Sequence, residues 1–100
     1  MLFGLDILRK AGNLITGDRA KQHGDFVKNH ENIAKLFSAF INTDVTTSDA
    51  LLMMAQVKLA RTKEGQHNID DYIDACGYIA LAGQLASQLD EQKNLVKNYE

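Results

Sequence analysis

Proline is absent from the 100-residue chain, and cysteine occurs only once, as Cys76. Small all-β proteins need many turns and normally use proline in them, so its absence disfavours that class. A single cysteine cannot form an internal disulfide, which is typical of proteins that fold in a reducing compartment. The fold therefore depends on a hydrophobic core, and a chain of this length is sufficient for one domain.

Long hydrophobic runs and a strong excess of charge are also absent. The longest apolar runs, at residues 50–55 and 78–82, are far shorter than the roughly 20 residues that a membrane-spanning helix requires. The net charge of −2 provides no global basic field for nucleic acid or for an anionic membrane. Asp6 lies within the first apolar stretch and the basic residues follow it, the reverse of a secretory signal. These features predict a cytoplasmic protein without a membrane partner.

Four segments show the 3.6-residue periodicity of amphipathic helices, and none shows the period of two that marks a strand. Good N-cap residues precede three of them, namely Asp25, Thr46 and Asn68. The predicted helices cover residues 2–15, 26–42, 48–62 and 69–89, with one further helical turn at 19–23. We predict a single all-α domain over residues 1–100, a compact bundle of about four main helices. Its parts are a first helix at 1–15, a core at 16–89 and a helical tail at 90–100.

The helices carry more apolar surface than the interior of one small bundle requires. The helix at 50–60 is apolar around most of its circumference, and the first helix adds Leu2, Phe3, Leu5, Leu8 and Ile15. This excess predicts a homo-oligomer, either a dimer or a dimer of dimers. The alternatives are that the first helix folds over its own bundle or lies on a membrane, and its mixed polar face disfavours the membrane.

Asp71 and Asp74 are three positions apart, so their side chains project about 60° apart on one face of the last helix. Mg²⁺ and Mn²⁺ prefer carboxylate oxygens and commonly use one or two of them together with phosphate oxygens. The pair therefore suggests a metal site. The alternative for Asp71 is that it complements the helix dipole together with Asp70. That alternative is weaker for Asp74, which lies deeper in the helix.

Lys58 and Arg61 are also three positions apart, on an otherwise apolar helix. An Arg fork binds phosphate bidentately and Lys acts as a point charge, so together they suggest an anion site. The alternative is that both residues form salt bridges with Asp71 or Asp74 at the edge of the core.

Two other segments contain candidate ligands. His23, Gly24 and Asp25 lie between helices, where His23 is either a ligand-binding group or an ordinary loop residue. Glu31 would be a further metal ligand if it faced inward, and otherwise lies on a solvated face. Gly-rich nucleotide loops, His-Glu-x-x-His and Cys-x-x-Cys motifs are absent, and no catalytic residue is assigned.

Four motifs follow one another along the chain: Arg19-x-x-x-His23-Gly24-Asp25, Asn29 with Ile33-Ala34, Met54-x-x-x-Lys58-x-x-Arg61, and Asp71-x-x-Asp74-x-x-Gly77-Tyr78. This succession resembles a small phage and prophage family of uncharacterised function over residues 14–86. That family in turn resembles the MazG-like all-α nucleoside triphosphate pyrophosphohydrolases. Their bundles oligomerise and hold Mg²⁺ with a Glu-x-x-Glu and a Glu-x-x-Asp motif.

The resemblance places the second acidic motif on Asp71 and Asp74, with Asp in place of Glu. The first acidic motif has no counterpart beyond Glu31. The resemblance implies Mg²⁺ or Mn²⁺ as cofactor, a nucleotide as partner and the host cytoplasm as location. The residues that it suggests for phosphate or nucleotide binding are Lys58, Arg61, His23, Asp25 and Tyr78.

Two functional hypotheses follow. The first is a phage-type nucleotide-binding protein that uses Mg²⁺ and, in its catalytic form, hydrolyses a nucleoside triphosphate to the monophosphate and pyrophosphate. The second is a non-enzymatic protein that sequesters a nucleotide or interacts with a host factor. The missing first acidic motif favours the second hypothesis.

Overall fold

The computed structural model describes residues 1–16 and 26–99, and their side chains as far as residue 94. These residues form four helices and no strand, which confirms the prediction of an all-α protein. The helices are α1 (Gly4–Thr16), α2 (Phe26–Ile41), α3 (Thr47–Arg61) and α4 (Ile69–Tyr99). The helical turn predicted at residues 19–23 lies outside the described residues.

The helix boundaries follow from local hydrogen bonds. The Thr46 hydroxyl accepts the amide of Asp49 at 3.0 Å, and the Asp49 carboxylate accepts the amide of Thr46 at 3.3 Å, so the predicted N-cap Thr46 forms a capping box at the start of α3. The Asn68 side chain caps α4 by accepting the amide of Asp70 at 3.0 Å. At the end of α2, Asn42 has a φ of 54°, and the amide of Thr43 donates to the Ser38 carbonyl at 3.2 Å. This arrangement is a Schellman motif.

The centre of the molecule is the antiparallel hairpin of α3 and α4. Leu51 of α3 is fully buried against Leu81 and Ala82 of α4. The Ser48 hydroxyl donates to the Ala82 carbonyl at 3.0 Å near the open end of the hairpin. Four partly buried side chains surround this core: Ile15, Phe26, Tyr78 and Leu85.

The helices α1 and α2 both pack on one side of this hairpin. The α1 helix approaches α4 at Gly77, where an added Cβ would lie 3.4 Å from the Ile15 side chain and 3.7 Å from that of Leu14. The α2 helix packs on α3, and the Ser38 hydroxyl ties its end to the connector by accepting the amide of Val45 at 2.8 Å.

The α4 helix has 31 residues and is therefore about 46 Å long, roughly twice the length of α3. Its second half continues past the start of α3, where residues 86–94 are exposed. The tail predicted at residues 90–100 is thus a continuation of α4 as far as Tyr99. Among the described helices, none is both long and apolar enough to cross a membrane.

Candidate functional site

A charged cleft lies where α3 ends and α4 begins, at the closed end of the hairpin. It has a volume of about 390 Å³ and is open to solvent. Its lining residues are Lys58, Arg61, Glu64, Gln66, Asn68, Asp70, Asp71 and Asp74. The structure therefore brings together Lys58 and Arg61 of α3 with Asp71 and Asp74 of α4, which the sequence places on separate helices.

Lys58 and Asp74 form an ion pair across the cleft, with 3.1 Å between Lys58 Nζ and Asp74 Oδ2. The two side chains are 17% and 29% exposed, so the pair is largely shielded from water. The predicted alternative of a salt bridge at the core edge thus holds for Lys58. One oxygen of the Asp74 carboxylate already contacts Lys58, so a ligand cation would compete with Lys58 for this carboxylate.

Arg61 and Asp71 face the same cleft one turn closer to the loop and do not form an ion pair. Asp71 is only 8% exposed. Within the described part of the chain, neither its carboxylate nor the Arg61 guanidinium has a hydrogen-bond or ion-pair partner. The Asp71 carboxylate oxygens are not among the buried polar atoms that lack a partner, so they reach the solvent in the cleft. A ligand in the cleft could therefore contact this carboxylate directly.

Helix ends explain why these charges are found at this place. Lys58 and Arg61 lie in the last turn of α3, where the helix dipole favours cations. Asp70 and Asp71 lie in the first turn of α4, where the dipole favours anions. Because the hairpin is antiparallel, these two ends meet at the loop, and opposite charges line one space.

The balance of charge in the cleft limits what it can bind. Two of the lining residues are positive and four are negative, the fourth being Glu64. A free phosphate would meet more negative than positive charge and would be repelled. A phosphate that carries a divalent cation would suit both walls of the cleft, because the cation could contact the carboxylates and the phosphate oxygens could contact Lys58 and Arg61.

The oxygen-rich donor set fits a hard cation such as Mg²⁺, with Asp71 and Asp74 as the two carboxylates. No group of three or more His, Cys, Asp or Glu side chains within the described residues is arranged to hold a metal ion. Mg²⁺ often binds through one or two carboxylates and takes its other ligands from phosphate and water, so two carboxylates are compatible with it. A cage made wholly of protein side chains, as for a structural metal, is not present in that part of the chain.

The other residues selected from the sequence lie elsewhere. Glu31 is exposed on α2 and does not line the cleft. The Tyr78 ring packs at 5.6 Å from the rings of both Phe26 and His30, at the edge of the core. His23 and Asp25 lie outside the described residues.

Four residues of the cleft were not selected from the sequence: Glu64, Gln66, Asn68 and Asp70. The available signal was the short connection between α3 and α4, which forces the residues next to the loop to surround the closed end of the hairpin. His30 is a further polar residue that the sequence did not single out. Its Nδ1–H donates to the Phe26 carbonyl at 2.8 Å, while its buried Nε2 has no hydrogen-bond partner among the described residues.

Comparison with known proteins identifies relatives of the chain. The model of a family described as Domain of unknown function (DUF6378) matches residues 6–86. The Gene 55 protein of Mycobacterium phage L5 is 34% identical over 89 residues, which are 88% of this chain and 57% of that protein. The Gene 55 protein of Mycobacterium phage D29 is 35% identical over 72 residues, which are 72% of this chain and 48% of that protein. The chain thus spans about half the length of these relatives. No solved structure matches.

Proposed function

The chain belongs to the DUF6378 family, with relatives encoded by mycobacteriophages, and from this premise we propose that its charged cleft binds a nucleoside phosphate together with Mg²⁺ or Mn²⁺. The observation that carries the proposal is the pair of opposite charges, Arg61 and Asp71, on facing walls of one open cleft, which have no ion-pair partner within the described part of the chain. A ligand with both a cation and a phosphate gives each of them a partner.

Each wall has a separate role in this proposal. The Arg61 guanidinium contacts phosphate oxygens as a fork, and Lys58 adds a second positive charge. Asp71 and Asp74 hold the cation, which also neutralises charge on the phosphate. Because Lys58 pairs with Asp74, the ligand must exchange that ion pair for two new ones, in which Lys58 meets phosphate and Asp74 meets the cation.

Hydrolysis is the second and separable step of the proposal. Its support is the resemblance to MazG-like pyrophosphohydrolases, whose helical fold and Glu-x-x-Asp motif would place the reaction at Asp71 and Asp74. Within the described residues no third acidic side chain is arranged with Asp71 and Asp74 to hold a metal ion, and Glu31 lies away from the cleft, so the site matches binding better than turnover. The leading form of the proposal is therefore nucleotide binding.

A non-enzymatic role that includes a host protein is the alternative. The observation in its favour is the exposed apolar surface at the start of the chain, where Leu5 and Leu8 of α1 and the preceding Leu2 and Phe3 are each more than two-fifths exposed. Clusters of exposed apolar side chains often mark protein interaction sites. Under this alternative, the nucleotide is sequestered or the host factor is modulated without chemical change to the nucleotide.

Calorimetric titration tests binding directly, with a panel of nucleoside and deoxynucleoside triphosphates in Mg²⁺, in Mn²⁺ and in a chelator. We expect Asp71→Asn to weaken binding at least about tenfold when Mg²⁺ is present, a change of about 1.4 kcal/mol. In the chelator the same substitution should not weaken binding, because it removes a charge that repels free phosphate. Pyrophosphate release on the same panel separates binding from hydrolysis.

Two matched controls define the site. Asp90→Asn makes the same chemical change on an exposed turn of α4 beyond the cleft, and Glu31→Gln removes the exposed carboxylate of α2. Both variants should bind like the wild type. Absence of binding by every nucleotide, or equal losses in Asp71→Asn and Asp90→Asn, would contradict the proposal.

A further inference from the structure

The ion pair between Lys58 and Asp74 joins the two walls of the charged cleft. Its atoms, Lys58 Nζ and Asp74 Oδ2, are 3.1 Å apart, and the side chains are only 17% and 29% exposed. Partial burial protects such a pair from screening by salt. Asp74 thus has a positive partner from its own chain at the place where the proposed function puts a metal ion.

Arg61 and Asp71 line the same cleft, and within the described part of the chain they form no ion pair. The cleft therefore contains one cation and one carboxylate that are joined, and one of each that are not. These two sets differ in what a ligand must do. A ligand that reaches the unpaired residues breaks no ion pair, whereas a ligand that reaches Lys58 or Asp74 must first separate them.

We propose that Lys58 determines selectivity by making the cleft accept a divalent cation and a phosphate together and reject either one alone, an inference that rests on the proposed nucleotide site. A cation that binds alone at Asp74 displaces Lys58 and leaves two positive groups close together, which repel each other. A phosphate that binds alone draws Lys58 away. The Asp74 carboxylate is then left shielded from water, without a partner and close to another anion.

A phosphate that carries the cation avoids both of these costs. Lys58 passes to the phosphate in the same event in which Asp74 passes to the cation, so neither charge is left without a partner. Binding of the cation and binding of the phosphate are thus positively coupled, and this coupling is reciprocal by thermodynamic linkage. The ligand that the cleft selects is a nucleotide already in complex with its divalent cation.

Mn²⁺ alone tests the cation side, because electron paramagnetic resonance measures the free ion in a mixture with the protein. We expect Lys58→Met to bind Mn²⁺ at least about fivefold more tightly than the wild type. Arg61→Met removes a cation from the same cleft without breaking an ion pair, so it should raise the affinity less. Lys58→Arg keeps the positive charge and should bind Mn²⁺ as weakly as the wild type.

A nucleoside triphosphate in the presence of a chelator tests the phosphate side by calorimetry. Asp74→Asn releases Lys58 from its ion pair and should strengthen the binding of metal-free nucleotide at least about fivefold. Asp71→Asn removes an equal charge from the same cleft but releases no cation, so it should strengthen this binding less. Circular dichroism of each variant shows whether the helices are kept.

Lys93→Met is the matched control, since it makes the same chemical change on an exposed turn of α4 beyond the cleft. It should behave like the wild type in both measurements. Equal Mn²⁺ affinities for Lys58→Met and Arg61→Met would overturn the inference and leave the proposed function standing. Equal affinities of the two aspartate variants for metal-free nucleotide would do the same. A wild type that binds no nucleotide even with Mn²⁺ would contradict the proposed function, and this inference with it.

Discussion

The ion pair between Lys58 and Asp74 makes a quantitative prediction about stability. At 3.1 Å and an effective dielectric constant near 20, the gross attraction is about 5 kcal/mol. Desolvation of two largely shielded groups and the ordering of two side chains offset most of it. We expect a net coupling free energy of about 1 kcal/mol in the unliganded protein.

A double-mutant cycle measures this coupling. Lys58→Met keeps the apolar stem and removes the charge, and Asp74→Asn keeps the shape of the side chain. Urea unfolding of the wild type, both single variants and the double variant gives the coupling as the departure from additivity. In a domain of this size, about 1 kcal/mol corresponds to a shift of roughly 4–8 °C in Tm.

Arg61→Met with Asp71→Asn is the control cycle, because these residues line the same cleft without forming an ion pair. Its coupling should be near zero in the absence of ligand and should rise when nucleotide and Mg²⁺ are present. A Lys58–Asp74 coupling that cannot be distinguished from zero would refute the arrangement of the cleft. The same conclusion follows if the control cycle gives an equal value without ligand.

Two further predictions concern the helices that build the cleft. Thr46→Ala removes one half of the capping box and should lower the free energy of unfolding by about 1 kcal/mol in urea, whereas Thr47→Ala, one position inside α3, should cost less. Gly77→Ala should raise Tm, because alanine favours the helix by up to about 1 kcal/mol and its Cβ makes only an ordinary contact with Ile15. A lower Tm for Gly77→Ala would mean that α1 packs more tightly on α4 than the structure shows.

The helices and their ends could be predicted because the relevant interactions are local. The side chains of Thr46 and Asn68 accept hydrogen bonds from backbone amides only two or three residues away. The spacing of these residues in the sequence is therefore enough to predict where α3 and α4 begin. The end of α2 near Asn42 could be predicted for the same reason, since a single residue at positive φ ends the helix.

The pairing inside the cleft could be predicted only in part. Spacing put Lys58 and Arg61 on one face and Asp71 and Asp74 on another, and a short loop made it reasonable that the faces meet. Which cation pairs with which carboxylate depends on the alignment of the two helices to within one residue, and periodicity does not fix this. The sequence leaves open whether Glu31 faces inward or lies on a solvated face for a similar reason, because a helix with a mixed polar face does not reveal which side its neighbours cover.

The apolar surfaces show another limit of the sequence. An α3 helix that is apolar around most of its circumference indicates burial on several sides, but not what buries each side. In the structure one side meets α4, another meets α2, and Leu52 and Leu59 remain exposed. The sequence counts Ile15 among the excess apolar residues of the first helix, yet Ile15 is partly buried against the bundle and Ala11 of the same helix is buried.

The eight described residues that line the cleft all come from the 17 consecutive positions 58–74. Closing so short a segment has a low cost in chain entropy, and its contacts are near neighbours along the sequence. The charged site therefore belongs to the α3–α4 hairpin alone. The distances between its charged side chains do not depend on contacts between distant parts of the sequence. Sequence change in α1 and α2 can alter what the molecule touches without altering the distances between the charges that it presents.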